Sequence, residues 1–135
     1  MEDVIAAIVL LVCAVFVGSV AVLALARKLP RNRFAGVRTP ASMSSDDAFA
    51  VANRVAGPTT AAAALFLVFG AIASLAFGGW AASGAVLVCV AAALVIAGMG
   101  GSMGARAAAA LPKPEAAGCG HACTSCSLKD ACQPS

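Results

Sequence analysis

The sequence predicts an all-α membrane protein: a three-transmembrane-helix bundle with a cytoplasmic loop containing a short interfacial helix, plus a small cysteine-rich tail. Of the 135 residues, 61% are apolar and only 11% are charged, which lies far from the balance of a soluble domain. Three uncharged apolar runs cover residues 4–26, 59–77 and 81–103. Each is close to the ~20 residues that a helix needs to cross the hydrocarbon core. The runs are too long for strands, and a soluble chain of this size could not bury three such helices.

These runs place the helices at about residues 4–28, 58–78 and 81–104, within a membrane domain of residues 1–105. The first helix is expected to be a retained anchor, because the chain starts with two acidic residues instead of a basic region and its apolar run is too long for a signal peptide. Its end is marked by Arg27 and Lys28, which can reach lipid headgroups, and by Pro30, which stops a helix.

The charges predict the orientation. The loop of residues 29–57, with its flank, carries a net charge of +4: Arg27, Lys28, Arg31, Arg33, Arg38 and Arg54 against Asp46 and Asp47. The N-terminus has only acids, and the hairpin before Trp80 has no charge. The positive-inside rule then places the loop and the C-terminus in the cytoplasm and the N-terminus outside.

The loop has two different halves. Residues 31–44 contain Gly36 and Thr39-Pro40, which favour turns and extended backbone. The second half is expected to form the short helix, capped by Ser44 or Ser45 and ended by Gly57-Pro58. Apolar residues recur in it at helical spacing, which predicts a helix lying in the membrane interface. They are Phe49, Ala52 and Val55 or Ala56.

The ordered residues of this loop resemble a known family. They are Asn32, Gly36-Val37-Arg38-Thr39-Pro40, a Ser-Asp-Asp turn, Phe49, Asn53-Arg54 and Gly57. This pattern is similar to the signature of the SdpI family of small bacterial membrane proteins, although many members carry Trp in place of Phe49. The resemblance implies a multi-pass protein of the bacterial plasma membrane. The member that names the family protects its producing cell from a secreted toxin, and it signals the presence of the toxin by capturing a repressor at the membrane.

Six loop residues are candidates for recognising a ligand or partner: Asn32, Gly36, Arg38, Thr39, Pro40 and Asn53. Arg38, presented between Gly36 and Thr39-Pro40 with backbone N–H groups nearby, suits a phosphate, a lipid headgroup or a carboxylate. The alternative is that Arg38 and Asn32 tie the loop together and that the other arginines set the topology and contact anionic lipid. We expect membrane lipids and a protein in the membrane or cytosol as partners, and no nucleic acid.

An enzyme is not expected, because no Ser-His-Asp or paired-carboxylate arrangement is present and His121 is far from the loop. A transporter or channel is not expected either, since the apolar runs contain no ionisable Asp, Glu, Lys, Arg or His. Small residues at a spacing of four predict close helix packing instead. They are Gly70, Ser74 and Gly78, and again Gly100 and Gly104.

A linker of residues 106–118 leads to the cysteine-rich tail of residues 119–135. The tail has the spacing C-x3-C-x2-C-x5-C, from Cys119, Cys123, Cys126 and Cys132. In a reducing cytoplasm such a cluster favours metal binding or redox chemistry over structural disulfides. An iron–sulfur cluster, zinc or another thiophilic metal, and a disulfide, redox or disordered tail all remain open.

Two classes of function follow. In the first, the protein acts in toxin immunity or membrane-linked signalling through the loop, and the tail adds metal binding or redox sensing. In the second, it is a small accessory subunit of a larger membrane complex, for example a respiratory one, which docks through its small-residue helix faces.

Overall fold

The computed structural model describes residues 2–31 and 34–112, and this part of the chain forms three helices. They are α1 (Glu2–Leu25), α2 (Asp46–Ala76) and α3 (Gly79–Ala109). No strand occurs within these described residues. Each helix is long and apolar enough to cross a membrane. The prediction of an all-helical protein with three membrane spans is therefore confirmed.

Helix α2 lies at the centre of the bundle. It packs along both α1 and α3, whereas α1 and α3 hardly touch each other. The chain turns tightly between α2 and α3, with Gly78 as the N-cap of α3 and Gly79 at a φ of 59°. The longer connection between α1 and α2, residues 26–45, lies at the opposite end, beside the last turn of α3; we call it the connecting loop.

The interior is built from small residues, and the large apolar side chains face outward. Among the described residues, every buried hydrophobic residue apart from Leu10 and Phe49 is alanine. Two glycines of α3 allow the closest contacts, because a Cβ at Gly100 would overlap the Thr59 side chain and one at Gly104 would overlap the Ala52 carbonyl oxygen. Such close packing replaces the hydrophobic effect as the force between helices in lipid, as the spacing of Gly100 and Gly104 predicts.

Helix α1 ends at Leu25, slightly before the predicted residue 28. The Lys28 N–H donates to the Leu23 carbonyl at 2.9 Å, and the Arg27 N–H donates to the Ala24 carbonyl at 3.2 Å. This is a Schellman motif, which needs a left-handed residue after the last turn. Arg27 takes that conformation, with a φ of 55°, although glycine is the usual residue there.

The prediction of a separate interfacial helix differs from the structure. Residues 46–57 are helical, but they continue through Pro58 into the second membrane span as one helix of 31 residues. Pro58 lacks the N–H that would bond to the Arg54 carbonyl in a regular helix. The Thr59 and Thr60 hydroxyls both donate to a different carbonyl, that of Ala56, at 2.8 Å. Proline within a membrane-spanning helix is tolerated more readily than in soluble helices.

The apolar stripe of this segment faces the protein, which is why the segment does not lie in the interface as a separate element. Phe49, Ala52 and Ala56 are buried, while Val55 is exposed. Gly57 is a packing position and does not form a turn, because the Leu25 side chain lies where its Cβ would be. The expected N-cap is confirmed at Ser45, whose side chain accepts from the Ala48 N–H at 3.0 Å.

Candidate functional site

The side chain of Asn53 fastens the connecting loop to α2. It is 3% exposed, its Oδ1 accepts from the Val37 N–H at 2.6 Å, and its Nδ2 donates to the Phe49 carbonyl at 2.8 Å. Both ends of the amide are thus satisfied, as a buried polar group requires. Asn53 therefore acts as a clamp between a helix and a loop that is 16 residues earlier in the chain.

Gly36 makes room for this clamp. Its φ is +96°, a conformation that other residues rarely adopt, and a Cβ would overlap the side-chain amide of Asn53. The sequence motif is therefore explained at two of its positions, since Gly36 must lack a side chain for the Val37 N–H to reach Asn53.

A single helical turn follows in the loop, capped at its start by Thr39. The Thr39 N–H donates to Ser42 Oγ at 2.8 Å, and the Ser42 N–H donates to Thr39 Oγ1 at 3.1 Å. Pro40 occupies the first position of the turn, where a missing N–H costs nothing. This reciprocal arrangement is a capping box in which serine takes the place of the usual glutamate.

Ser42 is the residue of this site that sequence reasoning missed. It is fully buried, and its hydroxyl lies 2.9 Å from the Val37 carbonyl and 3.1 Å from the Thr39 carbonyl. A Thr-Pro pair followed two residues later by serine is a signal for such a capped turn, and it is present in the sequence.

The loop also packs against the end of α3. Ala48, Ala52 and Ala108 form a buried cluster, and Val37 and Leu111 pack against it. The extension of α3 to Ala109 thus supports the loop, although the sequence analysis assigned residues from 106 onward to a linker. The loop, the start of α2 and the end of α3 form one packed unit.

Arg38 lies at the surface of this unit. It is exposed, and within residues 2–31 and 34–112 the one ion pair joins Arg31 to Asp46, at 3.1 Å between Nε and Oδ1. The N–H groups of its neighbours Val37 and Thr39 are both bonded internally. These two N–H groups are therefore not free to help Arg38 bind an anion, as the sequence analysis expected, and a role for Arg38 in recognition stays a prediction.

The predicted site residues divide into two groups. Gly36, Thr39, Pro40 and Asn53 come together as the framework of the loop, and Arg38 is displayed by that framework. Asn32 and the four predicted metal ligands in the tail lie outside the described residues: Cys119, Cys123, Cys126 and Cys132. In the part of the chain that the structure covers, no cluster of His, Cys, Asp or Glu could hold a metal ion.

An apolar groove lies next to the clamp, on the face of α2 between α1 and α3. Its volume is about 340 Å³. Residues from all three helices line it, and the segment Phe34–Val37 of the connecting loop closes one end. The lining residues on the helices are Phe16, Val17, Val20, Ala24, Asn53, Ala56, Thr60, Ala97 and Gly101.

Comparison with known proteins identifies the family. A family model described as the SdpI/YfhL protein family matches residues 28–99, which is more than half of the chain and includes the connecting loop, all of α2 and most of α3. No curated protein and no solved structure matches the chain significantly. With its three membrane-spanning helices and its clamped loop, this multi-pass membrane protein belongs to the SdpI/YfhL protein family.

Proposed function

We propose that the protein acts in toxin immunity or membrane-linked signalling, and that the connecting loop recognises an anionic group on a protein partner through Arg38. The observation that supports this proposal is the contrast between the fixed backbone of the loop and the exposed side chain of Arg38. The backbone on both sides of Arg38 is fixed by buried hydrogen bonds to Asn53 and Ser42, while the guanidinium itself is exposed.

This arrangement favours recognition because a residue whose backbone is already fixed loses less conformational entropy on binding than one in a flexible loop. A guanidinium has a planar set of N–H donors that can form bidentate hydrogen bonds to a carboxylate or phosphate. An arginine that serves only the membrane topology needs a position near the interface and no rigid backbone. The proposed location is the plasma membrane of a bacterium, with the loop in the cytoplasm, where a cytosolic regulator can reach it.

The test compares Arg38→Ala with Arg106→Ala in cells that lack the native gene. Arg106 is a suitable control because it is an exposed arginine in the last turn of α3, at the same end of the bundle but outside the family match. Both variants are checked for membrane insertion. Survival in conditioned medium from the parent strain and the transcript profile are then measured.

We expect Arg38→Ala to lose protection or the transcriptional response, while Arg106→Ala keeps both. If the two variants behave alike, the arginines act only through general charge. Unchanged sensitivity and unchanged transcription in the deletion strain would argue against the proposal as a whole.

The tail is proposed to add a metal or redox function, based on the cysteine spacing in the sequence. Metal and acid-labile sulfide are measured on the anaerobically purified full chain and on a variant with Cys123 and Cys126 changed to serine. Iron with sulfide, absent from the variant, supports a cluster, and stoichiometric zinc supports a structural site. Protein free of any metal would contradict metal binding.

A second candidate is a role as accessory subunit of a larger membrane complex. The observation that favours it is the outward face of α3, where nothing lies within 4 Å of a Cβ placed at Gly84 or Gly98. Contacts among residues 2–31 and 34–112 do not explain these glycines, and glycine on an exposed membrane face is typical of a close helix–helix contact. Loss of a co-purifying complex in Gly98→Leu, with immunity unchanged, would favour this role.

A further inference from the structure

The groove between α1 and α3 is long enough to hold part of a hydrocarbon chain. Along α1 it extends from Phe16 to Ala24, which is about 12 Å at the rise of a helix. Its volume is about 340 Å³, and all three helices and the connecting loop line it. An apolar chain lying along α1 would therefore contact each of these elements.

The lining offers an occupant no polar partner among its side chains. The two polar residues there, Asn53 and Thr60, direct their hydrogen bonds to other groups of the protein: Asn53 to Val37 and Phe49, and Thr60 to the Ala56 carbonyl. All other lining residues are glycine, alanine, valine or phenylalanine. The part of the occupant that lies in the groove must therefore be apolar.

The end of the groove nearest the connecting loop is basic. The α1 wall ends at Ala24, and Arg27 and Lys28 follow within four residues; the closing segment Phe34–Val37 is followed directly by Arg38. Lys28 and Arg38 are both exposed, as is Phe34. Basic residues at the end of a membrane helix lie at headgroup depth and attract anionic lipid.

We propose that the groove holds an acyl chain of an anionic phospholipid, whose phosphate lies at the basic end beside Lys28. The apolar lining selects a hydrocarbon chain, and the charge at the end of the groove selects an anionic headgroup. A bound chain would contact Phe34–Val37, the segment that Asn53 clamps, so that the lipid forms part of the support of the connecting loop. This inference stands apart from the proposed function, since it concerns the groove and not the recognition of a protein partner.

The glycines of α3 provide a matched pair of variants. Gly101 lines the groove, and no described atom lies within 4 Å of a Cβ placed there. A side chain can therefore start at this position without a clash, and Gly101→Leu is expected to fill the groove. Gly98 is equally unobstructed but does not line the groove. Gly98→Leu therefore adds the same side chain to the same helix outside the proposed site.

The test is native mass spectrometry of the full chain in mild detergent, titrated with phosphatidylglycerol and with phosphatidylcholine of identical acyl chains. We expect one phosphatidylglycerol to bind about fivefold more tightly per contributing basic residue than phosphatidylcholine. This tight step should be lost in Gly101→Leu and kept in Gly98→Leu. Ala97→Leu, a second groove-filling change, should repeat the loss, and circular dichroism should show unchanged helix content in all variants.

Three results would overturn the proposal. Equal binding of the two lipids would remove the role of the basic end, and unchanged binding in both groove-filling variants would place the lipid elsewhere. A dimer in place of the lipid complex, abolished by Gly101→Leu, would identify a second copy of the chain as the occupant.

Discussion

The clamp formed by Asn53 can be measured by amide hydrogen exchange. In Asn53→Ala the Val37 N–H loses its acceptor, while the Phe49 carbonyl keeps its place in the α2 hydrogen-bond ladder. The variant therefore leaves one part-buried donor without a partner, at a cost of ~1–3 kcal/mol. Since 1.4 kcal/mol corresponds to a factor of ten, we expect the Val37 amide to exchange roughly tenfold faster or more.

Gly36→Ala should weaken the same clamp by a different route. Alanine at a φ of +96° costs about 1–3 kcal/mol in backbone strain. The added Cβ would also overlap the Asn53 amide, which must move and lose its bond to Val37. We therefore expect Gly36→Ala to lower the free energy of loop opening by about 2–6 kcal/mol, which is the sum of the backbone strain and the lost hydrogen bond.

The double variant provides the sharper test, because the bond between Val37 and Asn53 can be lost only once. In the Asn53→Ala background, Gly36→Ala should cost only the backbone strain, so the two changes should fall short of additivity by ~1–3 kcal/mol. Exchange of the Thr39 amide reports the opening of the loop in all variants, since its partner Ser42 is unchanged. NMR in detergent micelles measures both amides.

A matched control is Ser102→Ala, which removes an exposed hydroxyl bonded to the Met99 carbonyl and should leave loop exchange unchanged. Strictly additive effects of the two loop changes would refute the idea that Gly36 is needed to admit the Asn53 amide. Unchanged exchange of Val37 in Asn53→Ala would refute the clamp itself.

The remaining predictions concern packing and the helix ends. Gly104→Leu should separate α2 from α3 and lower stability in detergent by at least ~2 kcal/mol, because the Ala52 carbonyl cannot move aside; thermal unfolding should show no such loss for Gly98→Leu. Arg27→Gly should stabilise the end of α1 by roughly 1 kcal/mol, since glycine adopts positive φ without strain; an unchanged or lower unfolding temperature would contradict this. Pro58→Ala should leave α2 continuous, and hydrogen exchange should show no new opening between residues 54 and 58.

The three membrane helices could be predicted from the sequence because length and apolar content alone decide whether a segment crosses a bilayer. The N-cap at Ser45 was equally accessible, since its hydrogen bond joins residues three apart. The single helix α2 was not predictable in this way. Gly57-Pro58 is a strong local signal for a break, but α2 continues through both residues and the Leu25 side chain packs over Gly57. That packing is a tertiary contact, which no local signal reveals.

In the candidate site too, contacts between residues close in sequence could be predicted, whereas contacts between distant residues could not. The capped turn at Thr39 is local and could be read from its sequence, although Ser42 was overlooked. The bond from Val37 to Asn53 spans 16 residues, and no periodic pattern predicts it. The family resemblance includes both Gly36 and Asn53, and the structure gives the physical reason. Gly36 must lack a side chain so that Asn53 can form its hydrogen bond to the loop.

The framework of the loop also depends on the last turn of α3. Val37 has three roles at once: it bonds to Asn53, it lines the groove, and it packs against the buried cluster that includes Ala108. Because interiors packed this closely do not deform freely, a shift of α3 at this end should disturb the same backbone that presents Arg38. The position of Arg38 therefore depends on the end of α3 as well as on the connecting loop itself.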